Sequence, residues 1–281
     1  MWKINVAALL VALAMPTHAL RILLVGPVLP WMFGPYSAQL AGIGHFFQQH
    51  GHTTYWLPFT YARLDPSKAY TADEMAKAQG VTGPPTVGLK ADFAARTTFV
   101  SVRQWAPSQV NKLVSTHDLD VILTLCDLDR LNVDGEFTVP AISWYPNHFN
   151  DLPKMDRRQI SPFRKVAALS PSDATMLQGR LPDAKVEWVP HFMDIPEAVV
   201  ETDKKALRRE YGVPEDAFVV LMSCGNYDTQ NRKSLDVSLL AFKALRETHP
   251  NAFLYMRVIS ITEIAKAESK AIPPNTNPAS L

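Results

Sequence analysis

Short apolar runs recur along this chain, and each leads through a turn into a segment with helical periodicity. Residues 218–223, FVVLMS, are typical of a strand buried on both faces of a parallel sheet. Ser234 is a good N-cap, and the apolar residues after it recur at helical spacing until His249. Those residues are Val237, Leu240, Ala241, Ala244 and Leu245. Residues 253–256 predict a second strand, so this segment is predicted to form a β-α-β unit.

The same alternation of strands and helices begins at residue 20 and continues through the first two thirds of the chain. Apolar runs predict strands at 21–25, 53–57, 120–125, 141–145 and 165–169. The chain has 281 residues, 47% of them hydrophobic, which is enough for one or two packed domains. The predicted class is therefore α/β, with a Rossmann-like doubly wound parallel sheet followed by a partial second Rossmann-like unit.

The pattern also predicts the division of the chain. Residues 1–19 have a basic start, a short apolar stretch and a small-residue exit, like a secretory signal peptide, although a hydrophobic extension on a cytosolic enzyme is the alternative. The secretory pathway is favoured slightly over the cytoplasm, and the apolar stretch is too short for a transmembrane helix. We expect an N-terminal domain at 20–195, a linker at 196–217, a partial second domain at 218–257 and a flexible tail at 258–281.

Polar residues follow several predicted strands, and the carboxyl ends of parallel strands meet at one edge of a sheet. Gly34 lies in the turn after the first strand, and Asp127 follows the strand at 120–125. The strand at 141–145 is followed by a polar group made of Asn147, His148 and Asp151. We expect these side chains at the carboxyl edge of the sheet.

The second unit contains a candidate anion site. Its loop is predicted to span residues 225–233, beginning with Gly225 and Asn226 and ending with Arg232 and Lys233. The two basic residues stand immediately before the predicted helix, where free backbone N–H groups favour a phosphate. On spacing alone, two such basic residues also fit a solvated surface pair.

Composition argues against several other classes of protein. The chain has 28 Lys and Arg residues against 27 Asp and Glu, without long blocks of either sign, so nothing points to nucleic acid as a partner. Cys126 and Cys224 are far apart and have no metal-ligand spacing, so neither zinc nor a disulfide framework is indicated. The turn after the first strand lacks the GxGxxG fingerprint, which disfavours a Rossmann oxidoreductase.

Three segments in order resemble the retaining glycosyltransferases of family four, which have the GT-B fold. They are TLCDLDRL followed by VPAISWYPNHFNDLP, VEWVPHFMD, and GNYDTQNRKSLDVSLLAFKAL followed by HPNAFLYM. The resemblance implies metal-independent transfer of a hexose from a UDP- or GDP-sugar to a hydroxyl acceptor, with no other cofactor. It also implies roles for the residues above. His148 would be catalytic, Arg232, Lys233, Gly225, Asn226 and Gly34 would bind the donor diphosphate, and Asn147, Asp151 and Asp127 would bind the acceptor or sugar.

One departure from the family pattern leaves other interpretations open. The family carries a pair of glutamates spaced E-x7-E in its second domain, and Glu263 and Glu268 do not have that spacing. We therefore expect a chain shortened in its donor domain. An inactive glycosyltransferase fragment that binds a partner, or self-associates through the incomplete second domain, is the alternative. Another GT-B enzyme, such as a nucleotide-sugar epimerase, also fits.

Overall fold

The computed structural model describes residues 18–32, 34–59, 64–128, 131–147, 152, 154–191, 203–226 and 233–260, with the backbone alone for 154–156, 225–226 and 258–260. The chain divides into two compact units, residues 1–193 and 194–281. The strands are β1 (Arg21–Gly26), β2 (Thr53–Pro58), β3 (Thr97–Phe99), β4 (Val121–Thr124), β5 (Ala141–Tyr145), β6 (Lys165–Ala168), β7 (Lys185–Trp188), β8 (Phe218–Asn226) and β9 (Ala252–Ser260). The helices are α1 (Pro35–Gln49), α2 (Ala72–Gln79), α3 (Leu89–Ala95), α4 (Pro107–His117), α5 (Lys154–Ile160), α6 (Pro171–Arg180), α7 (Lys204–Glu210) and α8 (Leu235–Thr248).

The first unit is built on a seven-stranded sheet in the order β3-β2-β1-β4-β5-β6-β7. Every neighbouring pair in this sheet is parallel. The strand order turns at β1, because the chain first adds β2 and β3 on one side and then returns to add β4 on the other. This is the doubly wound topology, so the predicted α/β, Rossmann-like fold is confirmed.

The central strands β2, β1, β4 and β5 are almost entirely buried, which explains why they are mainly apolar runs. Ile22 and Leu24 of β1 pack in a cluster with apolar side chains of α1, α2 and α3. Leu23 and Val25, which point to the other face, pack with side chains of α4, α5 and α6. All four are at most 1% exposed. The alternation along one strand therefore supplies two cores, one on each side of the sheet.

Gly44 allows helix α1 to approach both the sheet and helix α3 closely. A Cβ atom at this position would overlap the Phe93 ring and would lie 2.6 Å from a methyl group of Leu24. Both neighbours are fully buried, so neither can move away without disturbing the core. Gly179 of α6 is the opposite case, because a Cβ there would meet nothing within 4 Å.

These two glycines give a matched pair of stability predictions. We expect Gly44→Ala to lower the free energy of unfolding by about 1–3 kcal/mol, because overpacking outweighs the better helix propensity of alanine. Gly179→Ala should leave that free energy unchanged or raise it by up to about 1 kcal/mol. Urea denaturation followed by circular dichroism measures both. Equal effects of the two substitutions would contradict the close approach at Gly44.

The two outer strands of the seven-stranded sheet are each covered in a different way. Tyr70 forms an antiparallel bridge with Phe99 of β3, with N–H···O distances of 2.8 and 2.9 Å. At the other edge, the side-chain amide of Gln178 donates to the carbonyl of Ala184 at 3.3 Å and accepts from the N–H of Val186 at 3.2 Å. The side-chain amide of Gln178 therefore bonds to two backbone groups at the start of β7, as a neighbouring strand would.

The described part of the second unit holds a parallel pair, β8 and β9, with α8 between them in the chain. The register runs from Phe218 opposite Ala252 to Asn226 opposite Ser260. Both strands are longer than the sequence predicted. In particular, Gly225 and Asn226 lie in β8 and not in the following loop, because β9 continues far enough to pair with them. No helix among the described residues is long and apolar enough to cross a membrane.

The predicted helix in the second unit is present as α8, but its apolar stripe does not face the strands. Val237 and Leu240 are 60% and 66% exposed, and no residue of α8 is buried. The half-buried positions are Leu235, Ser238, Phe242 and Leu245, so only Leu245 of the predicted stripe lies on the less exposed face. Periodicity predicted the helix correctly, yet it could not indicate which face would lie against the sheet.

Candidate functional site

The carboxyl edge, defined here as the edge at which β1 to β7 end, collects polar groups from distant parts of the first unit. The turn after β1 is held through the carbonyl of Val28, which accepts from the Ser37 hydroxyl at 3.2 Å and from the Trp56 indole at 3.1 Å. Gly34 lies in this turn and is the N-cap of α1, without a side-chain cap. A Cβ at Gly34 would meet only Val28, at 3.8 Å, so crowding does not require a glycine there.

Asn147, predicted at this edge, is part of a hydrogen-bonded group with Asp173 and Ser170. The amide Nδ2 of Asn147 donates to Oδ1 of Asp173 at 3.1 Å. The hydroxyl of Ser170 donates to Oδ2 of the same carboxylate at 2.8 Å, and it accepts from the Asp173 N–H at 3.1 Å. Ser170 is thus the N-cap of α6, and Asp173 ties that helix to the end of β5. The group presents amide, carboxylate and hydroxyl oxygens at one place.

Sequence reasoning did not assign a functional role to Asp173 or Ser170. In the sequence, the segment SPSDA, residues 170–174, predicts only the start of a helix after the strand at 165–169. The available signal was the position, because a serine directly after a parallel strand and an aspartate three residues later both fall at the carboxyl edge.

His191 is a second residue of this edge that sequence reasoning missed. It follows β7 and lies edge-on to Trp144, with ring centroids 5.2 Å apart and an interplanar angle of 83°. Its ring centroid is also 6.5 Å from that of Tyr36. The residue remains exposed, while partial burial of the ring lowers the pKa of His191. A neutral imidazole at pH 7 carries one donor and one acceptor.

The other predicted site residues of the first unit are Asp127, His148 and Asp151. Asp127 is exposed and follows the buried strand β4 after Leu125 and Cys126, as the sequence predicted. His148 and Asp151 lie outside the described residues, so their predicted roles stay predictions. Among the residues that the structure describes, no group of histidine, cysteine, aspartate or glutamate side chains is arranged to hold a metal ion.

The second unit presents a helix N-terminus after a parallel strand, as the sequence predicted. Lys233 is exposed and stands directly before the N-cap Ser234, which has a left-handed conformation with φ of 50°. The Ser234 side chain makes no capping hydrogen bond, and Asp236 lies in the first turn of α8. Gly225 and Asn226 end β8 in the same unit. Arg232 lies outside the described residues.

No family model matches the sequence, and no curated protein matches it. The fold is similar to solved structures at low identity. A UDP-GlcNAc 2-epimerase from Neisseria meningitidis is 12% identical over 92% of this chain and 71% of its own, with a TM-score of 0.48. An α,α-trehalose-phosphate synthase from Burkholderia vietnamiensis is 11% identical over 90% and 70%, and the glycosyltransferase WaaG is 13% identical over 88% and 67%, each with a TM-score of 0.49. Because the identities and TM-scores are this low, the fold assignment rests on the strand order and register of the sheet.

The lowered pKa of His191 gives a prediction about stability and pH. An unfolded chain binds a proton at His191 near pH 6.5, whereas the folded chain binds it only at lower pH, so stability falls as the pH drops through 6.5. We expect the melting temperature to fall between pH 7.5 and pH 5.5, and His191→Phe to reduce that fall while keeping the ring contacts. Part of it remains, because burial also lowers the pKa values of His52 and His117.

Differential scanning calorimetry at the two pH values measures this effect. The wild type and His191→Phe should have similar melting temperatures at pH 7.5 and differ at pH 5.5. The same loss of stability in both proteins would show that His191 is protonated equally easily in the folded and unfolded chains.

Proposed function

We propose that this chain is a glycosyltransferase that transfers a hexose from a UDP- or GDP-sugar to a hydroxyl acceptor, with retention at the anomeric carbon. The observation that carries the proposal is the start of α8 in the second unit. There an exposed lysine directly precedes the N-terminus of a helix that follows a parallel strand in the chain. This is the arrangement that favours a phosphate, and the ordered resemblance to family-four glycosyltransferases supports a diphosphate as its ligand.

In this proposal the second unit binds the donor. The ammonium group of Lys233 and the N–H groups of α8 stabilise the negative charge that grows on the diphosphate as the bond from the anomeric carbon to its oxygen breaks. Arg232, Gly225 and Asn226 belong to the same predicted diphosphate site. No metal ion is required, because these positive groups supply the charge stabilisation.

The first unit binds the acceptor and the transferred sugar. Asn147 and Asp173 present an amide and a carboxylate that can hydrogen-bond to hydroxyl groups. Asp127, His148 and Asp151 complete this predicted site, with His148 as the residue that hydrogen-bonds the donor sugar. Gly34 keeps its predicted role in binding the donor diphosphate. Retention means that the acceptor oxygen bonds to the anomeric carbon on the face that the diphosphate leaves. The diphosphate oxygen that leaves the anomeric carbon is then the nearest base to accept the proton of the acceptor hydroxyl.

Ligand-dependent stability tests the donor site. UDP, GDP, UDP-glucose and GDP-mannose are added to the full chain, and a ligand that binds only the folded state at about 100 times its Kd should stabilise it by about 2.7 kcal/mol. Lys233→Ala should weaken nucleotide binding by about 10- to 100-fold, since a charged hydrogen bond contributes about 1.5–3 kcal/mol. The measurement is the melting temperature as a function of ligand concentration.

Lys243→Ala is the matched control, because Lys243 is an exposed lysine of the same helix, beyond its first turn. It should leave nucleotide binding unchanged. Transfer itself is measured by release of UDP or GDP in the presence of a hydroxyl acceptor. The proposed donor site is wrong if no nucleotide raises the melting temperature, or if the two lysine variants bind equally well.

A binding module is the second candidate function, and exposed apolar side chains in the second unit favour it. Val237 and Leu240 of α8 and Leu221 of β8 are 60%, 66% and 67% exposed. A parallel sheet is normally covered on both faces, so such a surface favours association with another protein or another copy of the chain.

Self-association tests this second candidate. We expect Leu240→Glu to shift sedimentation velocity toward the monomer, because a charge on the apolar surface opposes its burial. Glu247→Gln, which lies on the same helix, is the control. A wild-type chain that stays monomeric across the accessible concentrations would argue against self-association.

A further inference from the structure

His191 lies where a ligand at the carboxyl edge would meet it. Val189, just beyond β7, still pairs with β6, since its N–H donates to the carbonyl of Ala168 at 2.8 Å. His191 follows two residues later, at the same edge of the sheet as Gly34 and Asn147. The position of the His191 backbone is therefore set by the end of a strand and not by a long loop.

The ring of His191 is oriented by contacts from two other elements. Trp144 of β5 is fully buried, and its indole N–H donates to the carbonyl of Val189 at 2.9 Å. The imidazole rests edge-on against this fixed indole, 5.2 Å away. The ring of Tyr36, in the first turn of α1 and two residues after Gly34, lies 6.5 Å from it. The imidazole is thus positioned by a side chain of β5 and a side chain of α1.

The chemistry of this histidine suits a hydroxyl group better than a phosphate. It remains exposed while partly packed, and its neutral form has one N–H donor and one nitrogen acceptor. A hydroxyl group can satisfy both, because it donates one hydrogen bond and accepts others. A phosphate would require a donor or a positive charge at each position, which the neutral ring does not supply.

We propose that His191 is a ligand-binding residue of the first unit that hydrogen-bonds a hydroxyl group of a sugar at the carboxyl edge. The inference rests on the proposed function for the identity of that sugar as the acceptor. The contacts with Trp144 and Tyr36 hold the ring in place, and its nitrogens select the ligand.

Sugar binding to the full chain tests this assignment. Methyl glucoside, methyl mannoside and methyl galactoside are titrated at millimolar concentration, and saturation-transfer difference NMR measures the dissociation constants. His191→Phe keeps a ring against Trp144 and Tyr36 but removes both nitrogens, so we expect about three- to tenfold weaker binding of at least one glycoside. His191→Gln, which has a donor and an acceptor, should recover part of the affinity.

His50→Phe is the matched control. His50 is also exposed and packed on an aromatic ring, with centroids 4.0 Å from Phe46, but it lies at the end of α1 away from the carboxyl edge. The His50→Phe variant should bind the glycosides as tightly as the wild type does. The proposal is overturned if the wild type binds none of the glycosides, or if His191→Phe binds them as tightly as the wild type.

The same variants separate this inference from the proposed donor site. Nucleotide-dependent stabilisation through Lys233 is measured on His191→Phe and on the wild type. If the glycoside effect is present without any nucleotide effect, His191 is a sugar-binding residue and the proposed transferase function is wrong. If only the nucleotide effect is present, the donor site stands and the role of His191 is overturned.

Discussion

The parallel pairing of β1 with β2 on one side and β4 on the other is the interaction on which the first unit depends. Ile22 to Val25 pair with both neighbours, and their side chains start both cores. Parallel strands can only be joined by connections that cross a face of the sheet, so helices cover both faces. As a consequence, all seven strands end at one edge, and residues far apart in the chain become neighbours there.

The two helix N-termini at strand ends differ in how their first turns are bonded. In α6 the N-cap Ser170 accepts a backbone N–H, and Asp173 in the first turn supplies a negative charge of its own. The side chains at that terminus are bonded to one another and to Asn147. In α8 the N-cap Ser234 makes no capping bond, Asp236 lies in the first turn, and Lys233 precedes the cap. The exposed lysine is therefore the group at this terminus that attracts an anion in the proposed function.

Much of the fold could be predicted from the sequence because buried strands are short apolar runs with clear ends. The runs that became β4 and β5 are entirely buried, and the position of Asn147 after β5 followed directly. The partners of Asn147 could not be predicted in that way. Asp173 meets it only because β5 and β6 are adjacent, and His191 meets Trp144 across two strands. Such contacts depend on strand order and side-chain packing, which the spacing of residues does not encode.

Gln178 has a consequence for how copies of this protein can assemble. Its amide occupies the hydrogen-bonding groups of Ala184 and Val186, and Pro190 has no N–H to offer further along the same edge. At the opposite edge Tyr70 bonds to Phe99 of β3. These contacts leave fewer backbone groups at the two edges for an incoming strand, which disfavours fibre growth by strand addition. Assembly through side-chain surfaces of the first unit is therefore favoured over extension of the sheet.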